Sequence, residues 1–152
     1  MYGQDRDSMR RIFADTWRKA AAGDALEPME RIISGVIAEH PEYRPLLVPG
    51  SEAGLGRDYM PEDGQTNPFL HMGMHIALRE QASVDRPPGI HALIERLVHH
   101  LGDLHEAEHR LMEPLGEALW RAQRAGAQPD EQQYLEAVRQ LVRDTTGSTP
   151  AA

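Results

Sequence analysis

Four histidines in the middle of the chain have a spacing that suits metal binding. His71 and His75 are four residues apart, and His105 and His109 repeat that spacing further along. Residues four apart lie on one face of an α-helix, so each pair can present two imidazoles together. Imidazole is a ligand for zinc, iron, copper and nickel. The spacing therefore predicts that the two pairs, on facing helices, surround one transition metal ion, iron or zinc, or share two such ions with carboxylates.

The second pair belongs to the denser segment HEAEH at residues 105–109. It matches H-E-x-x-H, in which the two histidines bind zinc and Glu106 acts as a general base. The same letters contain Glu106-x-x-His109, an element that di-iron carboxylate bundles use twice and that this chain has once. Asp103 and Glu106 also fit a helix capping box. The zinc, di-iron and capping interpretations all stay open, and Glu106 is the candidate catalytic residue.

A further ligand is expected from an earlier helix. Glu30 lies at the edge of an apolar stripe, where a carboxylate needs a partner. A metal ion is one such partner and Arg79 is another, so Glu30 is included among the predicted ligands. His40, which precedes a proline, is a weaker candidate because it can simply cap the helix end. The remaining histidines of this region are expected at the surface or behind the ligands: His91, His99 and His100.

Helical periodicity organises the chain, and no stretch alternates with strand period over more than a few residues. The segment FLHMGMHIAL is apolar on every side, which is typical of a buried helix and places the first histidine pair in the core. Gly102-Asp103 is expected to divide a long helical region, and Pro114 to kink or interrupt it. The predicted fold is all-α, a single-domain irregular bundle of five to six helices over residues 1–143. A long loop at 41–66 and a disordered tail at 144–152 complete the prediction.

Composition excludes several classes of function. The formal net charge of −8 repels nucleic acid and anionic membranes, so neither is an expected partner. The absence of cysteine removes disulfides, thiol catalysis and thiolate ligands. The charged N-terminal residues are not expected to form a signal peptide or a membrane anchor, and no apolar run approaches the length that a membrane span needs. The expected location is the cytoplasm.

Several segments together resemble an uncharacterised bacterial family, catalogued as domain of unknown function 1841. The segments that carry the resemblance cover most of the chain between Glu30 and Leu135: HPEYRPLL, GQTNPFLHMGMHIALREQ, DRPPGI, LGDLHEAEHRLMEPLGEALWRAQRAG and PDEQQYL. The resemblance implies a small bacterial cytoplasmic protein. It implies no activity.

Three functions follow from these residues. The first is a metal-binding helical bundle with a His/carboxylate site, a non-heme iron or zinc oxidoreductase or hydrolase for an unknown small molecule. The second is a metal-free helical interaction or structural module, in which exposed apolar residues such as Trp17 contact a partner or a second copy in a homodimer. The third is a histidine pH sensor.

Overall fold

The computed structural model describes residues 2–47 and 68–147, and within them it contains helices and no strands. The predicted all-α single-domain fold is confirmed. There are seven helices in the described residues, rather than the predicted five to six: α1 (Tyr2–Ala21), α2 (Pro28–Ala38), a 3₁₀ helix (Pro41–Leu47), α3 (Pro68–Val84), α4 (Ile90–Leu101), α5 (Leu104–Ala125) and α6 (Glu131–Thr146). Among these helices none has the length and apolar character that crossing a membrane requires.

The chain divides into two compact units, unit 1 (Met1–Ile76) and unit 2 (Ala77–Ala152). Helix α3 begins in unit 1 and ends in unit 2 as one continuous helix. The predicted domain limit at residue 143 stays a prediction, although α6 continues three residues beyond it. The predicted loop at 41–66 is partly wrong, because its first seven residues form the 3₁₀ helix. The rest of that loop, and the end of the predicted tail, lie outside the described residues.

Unit 1 is built around an apolar core. Phe13 of α1 and Phe69 of α3 stack with ring centroids 5.9 Å apart. Each buried side chain of this kind contributes about 1.5–3 kcal/mol relative to leaving it in water. The remaining buried members come from α2, the 3₁₀ helix and α3: Ile33, Val36, Ile37, Leu47 and Met72. This core fixes the end of α2 and the beginning of α3, which carry the histidines of unit 1.

Helix starts in unit 2 follow the signals in the sequence. The Asp103 carboxylate accepts a hydrogen bond from the backbone N–H of His105 at 3.1 Å, and Asp130 accepts one from Gln133 at 3.1 Å. Gly102 ends α4 with a positive φ of 76°, a conformation that glycine adopts without strain. The predicted division at Gly102-Asp103 is thus confirmed. Helix α5 nevertheless runs on through Pro114 to Ala125, so no interruption occurs there.

Candidate metal centre

Three histidines of unit 1 surround one point, and we call them the buried histidine cluster. The ring centroids are 5.1 Å apart for His40 and His71, 5.0 Å for His40 and His75, and 4.9 Å for His71 and His75. Each residue can offer a ring nitrogen within 4.8 Å of the others'. His40 and His75 are buried and His71 is half-buried. Three imidazoles at these distances form a potential site for one cation.

Two different elements supply the cluster. Helix α3 presents His71 and His75 one turn apart on one face, as their spacing predicts. His40 comes from the residue that follows the cap of α2, and its Nδ1 donates a hydrogen bond to the carbonyl oxygen of Val36 at 2.7 Å. Because a carbonyl only accepts, the proton of the neutral ring lies on Nδ1 and the lone pair on Nε2. The helix end thereby orients His40 as a ligand through Nε2.

An aromatic ring supports the cluster from one side. The Tyr43 ring lies parallel to that of His40, with 5.4 Å between centroids and 3° between planes. It meets His71 edge-on at 6.3 Å. Burial raises the pKa of the Tyr43 phenol above its ordinary value, with a smaller contribution from the nearby Glu42 carboxylate. Tyr43 is therefore a neutral stacking partner for His40 at ordinary pH.

Unit 2 carries the second predicted pair, which we call the α5 histidine pair. His105 and His109 lie one turn apart near the start of α5, with ring centroids 4.2 Å from each other. Each can offer a ring nitrogen within 4.8 Å of the other. His105 is half-buried and His109 is exposed. The Asp103 cap fixes the first turn of α5 and so the position of His105.

A buried ion pair occupies the same stretch of α5. Glu108 has only 1% of its surface exposed, and its two carboxylate oxygens accept from Arg79 Nε at 3.3 and 3.1 Å and from Nη2 at 3.2 Å. Fork-shaped contacts of this kind are among the stronger charge-assisted hydrogen bonds. The sequence prediction did not include Glu108, although its position between the two histidines of HEAEH was a signal for it.

The two carboxylates that the sequence singled out are placed elsewhere. Glu30 accepts from Lys19 Nζ at 3.0 and 2.7 Å and from the backbone N–H of Glu27 at 2.9 Å. Both hydrogen bonds lower the pKa of the Glu30 carboxyl, and the bond from Lys19 makes the larger contribution. The suggested pairing of Glu30 with Arg79 is therefore wrong, because the cation is Lys19. Glu30 is not among the potential ligands that come together around the histidines.

Glu106 is exposed and lies on the solvent side of α5. Its carboxylate accepts from Arg110 Nε at 3.3 Å, an i,i+4 pair on the helix surface. The Asp103 side chain bonds the His105 amide, two residues on, and not the Glu106 amide that a capping box requires. Glu106 therefore does not complete a capping box, and it is not among the potential ligands grouped with the histidines.

The other predicted surface residues are largely where the sequence puts them. His91, His99 and His100 are exposed on α4. His91 bonds the Ala82 carbonyl oxygen at 2.9 Å. Trp17 is half-buried, not exposed as the interaction-module alternative expects, because it packs on the unit 1 core with the Arg44 guanidinium over its ring.

His40 is the residue whose importance the sequence understated. The expected capping role is confirmed by its bond to Val36, but the same bond turns its other nitrogen into a potential ligand. In the sequence, the signal for a ligand role of His40 was the His-Pro pair followed by Tyr43. A histidine tied to a helix end through one nitrogen still has a second nitrogen to offer.

The chain matches a family model described as Domain of unknown function (DUF1841) over residues 5–140. No match was found among curated proteins or among solved structures. The matched range includes the buried histidine cluster and the α5 histidine pair. Since the match covers far more than half of its length, this chain belongs to the DUF1841 family.

Proposed function

We propose that this protein binds a transition metal ion through a histidine site. The observation that carries the proposal is the buried histidine cluster, in which three imidazoles lie within about 5 Å of one another. Buried polar rings need hydrogen-bond partners or a metal, and crowding three of them together is otherwise unfavourable. The proposed ligands are the three histidines of that cluster, His40, His71 and His75.

The ligand set favours zinc over a di-iron centre. Di-iron bundles need several carboxylates, whereas the potential ligands of the buried histidine cluster are all imidazoles. Neutral imidazoles suit zinc, copper and nickel. Zinc with three histidines and one open position activates a bound water for hydrolysis, whereas four protein ligands make a closed structural site. We propose a mononuclear, zinc-type histidine site and leave Glu30 out of it.

Metal analysis of protein purified without a histidine tag tests the proposal. We expect about one equivalent of zinc per chain after reloading and dialysis, and loss of that binding in the double variant His71→Ala/His75→Ala. The matched control is His99→Ala/His100→Ala, which also removes two histidines but from the exposed face of α4. Circular dichroism establishes that each variant is folded.

Cobalt substitution adds a measurement that does not depend on stoichiometry. A tetrahedral Co²⁺ site gives strong visible absorption, and we expect that spectrum in the wild type and in the α4 control. If the folded wild-type protein binds no transition metal, the proposal is wrong. Equal metal loss in the double variant and the α4 control would likewise overturn it.

A further inference from the structure

A groove in unit 1 is lined by α1 and the 3₁₀ helix, and we call it the Trp17 groove. Its volume is about 550 Å³. Sites for small organic ligands typically have volumes of about 300–1,000 Å³. Most of the lining side chains are apolar, and the two charged ones are Arg18 of α1 and Arg44 of the 3₁₀ helix. The groove therefore combines an apolar wall with positive charge, which suits an anion that has an apolar body.

The wall of the groove is rigid. Pro41, Arg44 and Leu47 follow one another at intervals of three residues, the spacing that aligns side chains along a 3₁₀ helix. Pro45 lies on the same helix, and the rings of both prolines fix the backbone φ. Trp17 lines the groove from α1 and packs on the buried core of unit 1. A ligand that binds here therefore costs the protein little conformational freedom.

The Arg44 guanidinium is held at the groove by two contacts. Its central carbon lies 5.0 Å from the centroid of the Trp17 ring, and its Nη2 donates a hydrogen bond to the Ala38 carbonyl oxygen at 3.3 Å. Neither contact neutralises its charge, and no carboxylate among the described residues forms an ion pair with it. Because the guanidinium is already positioned, it can bind an incoming carboxylate with little reorganisation.

Arg18 adds a second guanidinium, whose own ion pair is weak. Its Nη2 lies 3.8 Å from Asp15 Oδ1, and both side chains are mostly exposed. Such a pair contributes little to stability because water screens it, so the carboxylate of a ligand can compete for Arg18. The groove thus carries local positive charge in a protein whose formal net charge is −8.

We propose that the Trp17 groove binds a small organic anion, an aromatic carboxylate. Guanidinium groups match the two oxygens of a carboxylate, which binds Arg44 and Arg18. The ring of the ligand packs on the Trp17 indole and on Pro45. A bare inorganic anion would leave this apolar wall in water, and for that reason we infer a ligand with an apolar body. The lining residues include none of the buried histidine cluster, so the proposal does not depend on the metal site.

Titration of the full chain with 2-naphthoate tests the proposal. Metal is first removed with a chelator, so that the carboxylate has no metal ion to bind. We expect saturable binding by isothermal titration with a Kd below about 1 mM, which is typical of a ligand of this size. The amide 2-naphthamide has the same ring without the charge, and acetate has the charge without the ring. Each should bind at least about tenfold more weakly.

The two tryptophans of the chain report where the ligand binds. In the ¹H–¹⁵N spectrum, 2-naphthoate should shift the indole N–H signal of Trp17 and leave that of Trp120 unchanged. The variant Trp120→Phe assigns the two signals. A shift of the Trp120 signal alone would place the ligand elsewhere and overturn the proposal.

A second Arg–Trp contact in unit 2 supplies the matched control variant. The Arg124 guanidinium lies over the Trp120 ring at 4.9 Å, and neither residue lines the Trp17 groove. We expect Arg44→Gln to weaken 2-naphthoate binding by about tenfold or more, because a hydrogen-bonded charge is lost, and Arg124→Gln to bind like the wild type. Circular dichroism establishes that each variant is folded.

Three results would each overturn the proposal. They are no saturable binding of 2-naphthoate by the wild type, equal affinities in Arg44→Gln and Arg124→Gln, and 2-naphthamide binding as tightly as 2-naphthoate. Should Arg44→Gln not fold, Arg18→Gln is compared with Arg124→Gln in its place. Arg18 is mostly exposed, so its replacement leaves the core intact, and we expect it to weaken binding severalfold.

Discussion

The Nδ1 of His40 donates a hydrogen bond to the carbonyl oxygen of Val36, 2.7 Å away, and so ties a candidate ligand to the last turn of α2. Carbonyls at the end of a helix lack partners within it, so the imidazole satisfies a group that needs one. Val36 itself is fully buried in the unit 1 core. The ring of His40 is therefore anchored to a rigid part of the structure, which favours binding because little freedom is lost when a metal arrives.

Tyr43 should control zinc affinity through its stacking on His40. Replacement by leucine removes the parallel ring that holds the imidazole, so we expect Tyr43→Leu to bind zinc severalfold to about tenfold more weakly. Tyr43→Phe keeps the ring and should restore wild-type affinity. Isothermal titration with zinc and the visible spectrum of the cobalt form measure the effect. If both variants bind like the wild type, Tyr43 does not position His40.

Removing the N-cap side chains of α5 and α6 gives a matched pair of variants. Asp103 and Asp130 each accept one backbone hydrogen bond at 3.1 Å, and loss of such a cap typically costs about 1 kcal/mol of unfolding free energy. We expect Asp103→Ala and Asp130→Ala to destabilise the protein alike in urea. An unchanged free energy of unfolding in Asp103→Ala would mean that its bond to the His105 amide does not stabilise α5.

Glu30 provides a direct test between the sequence prediction and the geometry. Its carboxylate is held by Lys19 and by the Glu27 amide, and these bonds lower its pKa. We expect Glu30→Gln to keep the wild-type zinc stoichiometry and affinity, and to lose only the ion pair with Lys19. Zinc titration of the variant beside Lys19→Met measures this. A loss of metal in Glu30→Gln that Lys19→Met does not share would restore Glu30 as a ligand.

Local signals allowed most of the helical fold to be predicted. Asp130 before Gln133, and Gly102 before Asp103, act within one or two turns of the chain, and the structure has the helix boundaries that they predict. Of the two outcomes predicted for Pro114, an interruption is wrong, because α5 continues past this buried residue to Ala125. The 3₁₀ helix was missed because its prolines are also typical of loops.

The site was harder to predict, because side-chain partners depend on tertiary packing. The i,i+4 spacing correctly grouped His71 with His75 and His105 with His109. Nothing in that spacing identifies Lys19 as the partner of Glu30, eleven residues away, or Arg79 as the partner of Glu108, twenty-nine away. Periodicity indicates which residues share a face, whereas the choice among nearby opposite charges requires the packed helices.

Tyr134 makes a pH-dependent contribution to the free energy of unfolding. Comparison of the wild type with a single variant measures that contribution. Its hydroxyl donates to Gln81 Oε1 at 2.7 Å, and burial raises its pKa from 10.0 to about 12. The neutral phenol is thus favoured in the folded state. The contribution is fully present below pH 10, where the unfolded chain also keeps the proton, and it is lost as the pH rises through about 12. At pH 11 the loss should be about 1.4 kcal/mol.

Urea unfolding of the wild type and Tyr134→Phe at pH 8 and pH 11 measures that loss. At pH 8 the variant should be less stable by about 1 kcal/mol, because the Gln81 oxygen loses its donor. At pH 11 the gap should close, because the phenol of the wild type ionises once unfolding exposes it to water. This ionisation stabilises the unfolded wild type and has no counterpart in the variant. The other tyrosines are common to both proteins and cancel in the comparison. A gap that is the same at both pH values would mean that Tyr134 ionises as readily in the folded protein as in the unfolded chain, and that its burial beside Gln81 has no effect on the proton.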